Sequence, residues 1–139
     1  METDDAANNN VTKGPTKLIL IVEDDKFLRD MLVNKFEDTG FQVNAATTGE
    51  EAFKMLTRHK PDLITLDLLM PDVDGFQVIQ KLKTDPGTSG IPILILSNLM
   101  EKGDIDRAMA AGASAYLVKA NSTPDEIVAH AKELVEKNQ

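Results

Sequence analysis

Asp67 stands in the run LITLDLLM, a single carboxylate with apolar residues on both sides. A charge placed there is unfavourable by several kcal/mol unless something compensates it. Groups able to do so occur at three other points of the chain. Glu23-Asp24-Asp25 ends the run LILIV, Ser97-Asn98 ends PILIL, and Lys119 follows SAYLV at once. If these groups converge, carboxylates about 4–6 Å apart repel by several kcal/mol per pair at an effective dielectric near 20. They then require a divalent cation, the Lys119 ammonium or a raised pKa. An all-oxygen cluster of few carboxylates with open positions suits Mg²⁺, which keeps water and takes phosphate oxygens as ligands. A carboxylate beside such a cation and a lysine, with the Ser97 hydroxyl nearby, is arranged to receive a phosphoryl group. Asp67 would be the nucleophile, and the cation and Lys119 would neutralise the phosphoryl oxygens.

Convergence requires particular elements. Five short apolar runs, 18–23, 41–45, 62–67, 92–97 and 114–118, begin about 20–30 residues apart. A stretch with helical spacing follows each. Leu28, Met31, Leu32 and Phe36 share one face of the first helix, and Phe53 and Leu56 one face of the second. Phe76, Ile79 and Leu82 do so in the third, Ile105, Ala108, Met109 and Gly112 in the fourth, and Ile127, Ala131, Leu134 and Val135 in the fifth. Thr123-Pro124-Asp125-Glu126 reads as a capping box with proline at the first helical position, and Asp85-Pro86-Gly87 as a turn. Strands nearly continuous in Ile, Leu and Val are buried on both faces, which implies a parallel sheet covered by helices on each side. The chain is too short for an eight-stranded barrel. An open doubly wound (βα)₅ sheet remains, with its site at the carboxyl ends of the strands. Glu23-Asp24, Asp67, Ser97 and Lys119 all fall at such ends; the second run ends in Ala45-Ala46 and offers nothing comparable.

Composition narrows the function further. The 139 residues suffice for one domain with a single core. Residues 1–16, METDDAANNNVTKGPT, lack apolar periodicity and are expected to form a disordered tail ahead of a domain spanning 17–139. The absence of cysteine rules out disulfides and thiolate metal sites. Apolar runs of about six residues cannot cross a bilayer, and no leader is visible, so a cytoplasmic protein without membrane contact is expected. A net charge of −8 argues against nucleic acid as a direct partner. No G-x-x-x-x-G-K-[ST] motif occurs, so Asp67 is not the acidic strand end of a P-loop enzyme. Asp72-Val73-Asp74-Gly75 hints at an EF-hand, but that alignment puts Met70 and Lys81 where Asp and Glu are needed, so it reads as a turn. Asp25 is expected to cap the first helix. His59 and His130 are expected at the surface, and Met55 and Met109 in packing rather than at an interface, with Met100, near the signalling face, left open.

The pieces LILIVEDDKFLRDML, KPDLITLDLLMPDVDGFQVIQKLK, IPILILSN and AGASAYLVKA together resemble the receiver domain of two-component response regulators, over about residues 17–138. That resemblance implies a flavodoxin-like fold with strand order 2-1-3-4-5 and phosphorylation on Asp67. It implies Mg²⁺ held by Asp24, Asp67 and the Leu69 backbone carbonyl, with Glu23 acting largely through water. Ser97 matches the switch hydroxyl, Tyr116 the aromatic that changes rotamer with it, and Lys119 the lysine that contacts the phosphoryl group. Phosphorylation would reshape the face of the fourth helix, fifth strand and fifth helix.

Two positions depart from the family pattern. Ala120 stands where a proline in a cis peptide commonly follows the lysine. A cis bond without proline costs about 3–4 kcal/mol, against roughly 0.5–1 for X–Pro. This points to a trans Lys119–Ala120 bond and leaves open where the Lys119 amine lies. Asn98 stands where a small residue is frequent; it could narrow access to Asp67 or add a hydrogen bond.

The expected function is therefore a stand-alone phosphoryl acceptor rather than an enzyme. Its donor would be a histidine kinase or histidine phosphotransfer protein. It would act on a downstream partner protein, pass the phosphoryl group on to a histidine, or form a homodimer on phosphorylation. Leu69 and Leu99, two residues past Asp67 and Ser97, cannot orient an attacking water, so self-dephosphorylation should be slow. The alternative is a phosphorylation-independent binding module on the same fold. A flavin carrier of this topology would need a Ser/Thr/Gly-rich loop where EDDKF stands.

Overall fold

The computed structural model describes residues 16–138; the tail expected over 1–16 falls, apart from Thr16, outside them. Five strands alternate with helices: β1 (Leu18–Val22), α1 (Lys26–Asp38), β2 (Gln42–Ala46), α2 (Gly49–Leu56), β3 (Leu63–Leu66), α3 (Gly75–Thr84), β4 (Ile93–Ser97), α4 (Lys102–Ala111), β5 (Ala115–Val118), a 3₁₀ turn (Lys119–Asn121) and α5 (Pro124–Lys137). The strands form one parallel sheet in the order β2-β1-β3-β4-β5. The expected doubly wound architecture and strand order are thus observed, with strand bounds displaced by a residue or so.

Strand periodicity divides the core in two. Leu20 and Val22 of β1, Ile64 and Leu66 of β3, and Ile93 and Ile95 of β4 pack with Ala52, Val78, Ile79, Leu82 and Ala108 from α2, α3 and α4. The intervening residues Ile19, Ile21, Leu63, Leu94 and Leu96 pack with Leu32, Phe36, Ile127, Val128, Ala131 and Val135 from α1 and α5. Each of the Leu, Ile, Val and Phe side chains contributes about 1.5–3 kcal/mol when fully buried. The strands β1, β3 and β4, richest in Ile and Leu, are the central ones, buried almost throughout, whereas β2 and β5 are the half-buried edges.

Short polar side chains set the helix starts. Asp25 accepts from the N–H groups of Phe27 and Leu28, Thr48 from Glu51 and Asp74 from Phe76. Thr123 and Glu126 form the expected capping box, with Pro124 at the start of α5. The Asp85 carboxylate accepts the Gly87 N–H, closing the expected turn. On α4 the periodic reading fails at one position: Ala108 is fully buried, but Met109 is 41% exposed. Met100, whose place the sequence leaves open, is exposed as well, and Met55 lies against the core.

The segment between β3 and α3 is tied down at its far end. Leu69 and Asp74 form an antiparallel bridge, and the Gly75 N–H donates to the Leu68 carbonyl at 3.3 Å. A Cβ at Gly75 would run into the Leu68 backbone, which cannot move aside as a flexible side chain could. Glycine is required there by close approach rather than by an unusual dihedral. Gly75→Ala should therefore lower the unfolding free energy by about 1–3 kcal/mol, as overpacking does. Urea titration should show this as a reduced midpoint; a midpoint equal to the parent's would refute the close-approach reading.

Candidate functional site

The ends of the central strands place the polar groups. β1 closes at Val22 and β3 at Leu66, yet the Glu23 N–H still donates to the Ala46 carbonyl (3.0 Å) and the Asp67 N–H to the Val22 carbonyl (3.2 Å). Both carboxylates thus leave the sheet immediately past its last ladder pairs, on neighbouring strands. They are buried, at 2% exposure for Glu23 and 4% for Asp67. Asp24 is exposed. One carboxylate oxygen from each of Glu23, Asp24 and Asp67 lies within 4.8 Å of the others.

Lys119 closes the cluster. Its Nζ lies 2.7 Å from Glu23 Oε1 and 2.7 Å from Asp67 Oδ2. The remaining oxygens are held by backbone donors: Glu23 Oε2 accepts the Asp25 N–H at 3.0 Å, and Asp67 Oδ1 accepts the Leu69 N–H at 2.9 Å. Burial pushes the Glu23 pKa above its ordinary value, and the hydrogen bonds from Lys119 and Asp25 only partly oppose this. Burial alone would depress the Lys119 pKa, but its bonds to Asp67 and Glu23 outweigh it and hold the ammonium charged.

A second group of contacts occupies the same edge of the sheet. Ser97, the last residue of β4, is fully buried, and its Oγ accepts the Leu99 N–H at 3.4 Å. Tyr116 on β5 packs against the core and donates its hydroxyl to the Leu99 carbonyl at 2.8 Å. Burial raises the phenol's pKa, with the Ser97 side chain acting in the opposite sense. Both departures from the family pattern are visible here. The Lys119–Ala120 peptide is trans, and the Lys119 amine nonetheless reaches both carboxylates. The Ala120 N–H, which a proline would lack, donates to Asn98 Oδ1 at 3.0 Å.

The structure therefore brings Glu23, Asp24, Asp67 and Lys119 together and sets Ser97 and Tyr116 around Leu99. Leu69 supplies a backbone donor to Asp67, and its side chain is 53% exposed. The Asp72 carboxylate accepts the N–H groups of Gly49 and Glu50, each at 3.0 Å, and Asp74 caps α3, so neither belongs to an EF-hand loop. His59 and His130 are exposed, as expected. Sequence reading missed Arg29. Its guanidinium donates to the carbonyls of Glu23 and Asp24 at 3.0 and 3.1 Å and braces the acidic turn from α1. The only signal was a cation one helical turn past the Asp25 cap, which is common on any helix.

Comparison with known proteins agrees with this geometry. The family model described as "Response regulator receiver domain" matches residues 19–132, and the chain belongs to that family. It is 36% identical over 117 residues to the phosphate regulon transcriptional regulatory protein PhoB of Rhizobium meliloti (strain 1021), covering 84% of this chain and 51% of that protein. It is 33% identical over 109 residues to the polar-differentiation response regulator DivK of Brucella ovis, covering 78% of this chain and 89% of DivK. The chain thus spans about half of the first relative and most of the second. Among solved structures, the signal receiver domain of a signal transduction histidine kinase from Syntrophus aciditrophicus superposes with a TM-score of 0.80 at 33% identity, covering 88% of this chain and 92% of that one. A putative response regulator from Chloroflexus aurantiacus J-10-fl gives 0.81 at 30% identity, covering 88% and 99%. Among the described residues no helix is long and apolar enough to cross a membrane.

Removing the shared ammonium leaves two buried carboxylates facing each other. In metal-free buffer Lys119→Met should lose about 3–5 kcal/mol, as when one partner of a buried pair is deleted. In a Glu23→Gln background the same substitution should lose less than half as much. Urea unfolding of the four proteins measures this coupling, and additive losses would refute it.

Proposed function

We propose that this receiver domain, residues 17–139, takes a phosphoryl group on Asp67 from a histidine kinase or histidine phosphotransfer protein and signals to a partner protein through its α4–β5–α5 face. The observation that carries this reading is the burial of Asp67 beside Glu23, with a lysine ammonium 2.7 Å from both. A carboxylate with a purely structural role has no need of a second acid within 4.8 Å. In the transfer, an Asp67 oxygen bonds to phosphorus as the donor's P–N or P–O bond breaks and the leaving group keeps the electron pair. Lys119 already touches Asp67 and can follow the charge onto a phosphoryl oxygen.

The donor set fits Mg²⁺: oxygens only, few carboxylates, and Asp24 at the open side of the pocket. Asp24, Asp67 and the Leu69 carbonyl would hold the ion, with Glu23 acting through water. Bound there, Mg²⁺ would neutralise charge on the phosphoryl oxygens. The Leu69 carbonyl is not consumed by the bridge to Asp74, which uses that of Leu68.

Ser97 is the switch hydroxyl and Tyr116 the switch aromatic of this reading. They converge on Leu99, so a hydroxyl drawn toward a phosphoryl group would alter the contact that holds the tyrosine. The domain is a phosphoacceptor rather than an enzyme acting on a separate substrate. Its charge of −8 fits a protein partner better than nucleic acid.

Incubation with Mg²⁺ and a small phosphodonor should add one acid-labile phosphoryl group, seen by intact mass, and Asp67→Asn should abolish it. Equal labelling of that variant ends the proposal. The phosphorylated form should be long-lived, because neither Leu69 nor Leu99 offers a group to orient water. Leu69→Asn should shorten its half-life several-fold, and an unchanged half-life would count against this account.

A further inference from the structure

Lys119 leads the 3₁₀ turn Lys119–Asn121, and its amine has to be aimed back across the strand ends at Asp67. The turn's own bonds do not aim it. Ser122 N–H donates to the Lys119 carbonyl at 3.3 Å and Ser122 Oγ to the Val118 carbonyl at 2.9 Å, both within the same short segment. Among the described residues, the tie from this turn's backbone to another element is the Ala120 N–H donating to Asn98 Oδ1 at 3.0 Å. Asn98 immediately follows Ser97, whose strand pairs with β5 up to Ser97 opposite Val118. The two residues beyond that pair are thus Asn98 on one strand and Lys119 on the other. A side-chain amide at 98 extends the ladder by one bond where the main-chain pairing has ended.

We infer that Asn98 is a positioning residue for Lys119: by accepting the Ala120 N–H it fixes the trans Lys119–Ala120 turn against the end of β4 and so aims the ammonium at Asp67. The positions where this chain departs from the family pattern, Asn98 and Ala120, are then one device, since an amide acceptor is useful only where the facing residue keeps its N–H. The same bond joins the loop after the switch hydroxyl to the loop that carries the lysine. The inference rests on the reading of Asp67 as phosphoacceptor, and two of its readouts are independent of that reading.

The experiment compares the parent, Asn98→Ala, Ala120→Pro and the double variant. In Asn98→Ala the Ala120 amide should exchange its hydrogen about tenfold faster, and the NMR signal of the Lys119 ammonium should shift. Phosphorylation by a small donor with Mg²⁺ should slow by about two- to tenfold, the range set by one net hydrogen bond. In the Ala120→Pro background, Asn98→Ala should change neither the ammonium signal nor the rate. Asn98→Asp keeps the acceptor oxygen and should restore slow exchange at Ala120, which tests the bond even if the proline variants do not fold. The inference is overturned if Asn98→Ala leaves the Lys119 signal and the rate unchanged, or if its effect is as large with proline at 120. Should the parent itself take up no phosphoryl group, the functional reading fails, while amide exchange and the Lys119 signal still decide the role of Asn98.

Discussion

A single ammonium shared between two buried carboxylates is the constraint around which this molecule is arranged. With carboxylate oxygens no more than 4.8 Å apart, Glu23 and Asp67 when both ionised repel by at least roughly 3.5 kcal/mol at an effective dielectric near 20. Both are also withdrawn from water, which adds a desolvation cost. Lys119 offsets these terms only because its Nζ reaches both acids, and Asp25 and Leu69 supply backbone donors to the oxygens that remain. With Lys119 in place the pocket still holds three carboxylates to one ammonium. That excess of negative charge is of the kind a divalent cation would offset.

The constraint extends to strand register. The central strands are apolar on both faces, so a slip of one residue would not expose a hydrophobic face to water, as it would in a half-buried sheet. Polar ends supply the missing specification. Sliding β3 by one residue toward its amino end would draw Asp67 into the apolar layer beside Ile95 and away from Lys119. The residues that make the pocket thus also define where the strands stop.

Much of this was legible in the sequence because it follows from pattern. Runs such as LILIV and PILIL, separated by helical spacing, admit few arrangements other than a parallel sheet covered on both sides, and the rule for such sheets places Glu23, Asp24, Asp67, Ser97 and Lys119 at one edge. Asp25, Thr123 and Glu126 act locally, so their capping roles could be read from adjacent residues. What could not be read depends on three-dimensional approach. The bond from Asn98 to Ala120 spans 22 positions; the sequence marked both residues as unusual without showing that they meet. Arg29 is invisible for a related reason, since its partners are main-chain carbonyls that no residue type announces. Met109 fails differently: a periodic stripe gives the direction of a face but not its width, and Met109 points about 100° away from buried Ala108.

The bonds of Asp72 bear on mechanics. Through two carboxylate oxygens it grips the first turn of α2, while Gly75 locks the other end of the same segment onto Leu68. The segment beyond β3 is thus tied at Asp72 to α2 and at Gly75 to its own start. Across the cleft, Leu99 and Ala120 are restrained by side chains, Tyr116, Ser97 and Asn98, each through one bond. Were Asp67 to take a phosphoryl group as proposed, a rearrangement on that side would have to exchange these bonds of Ser97, Tyr116 and Asn98.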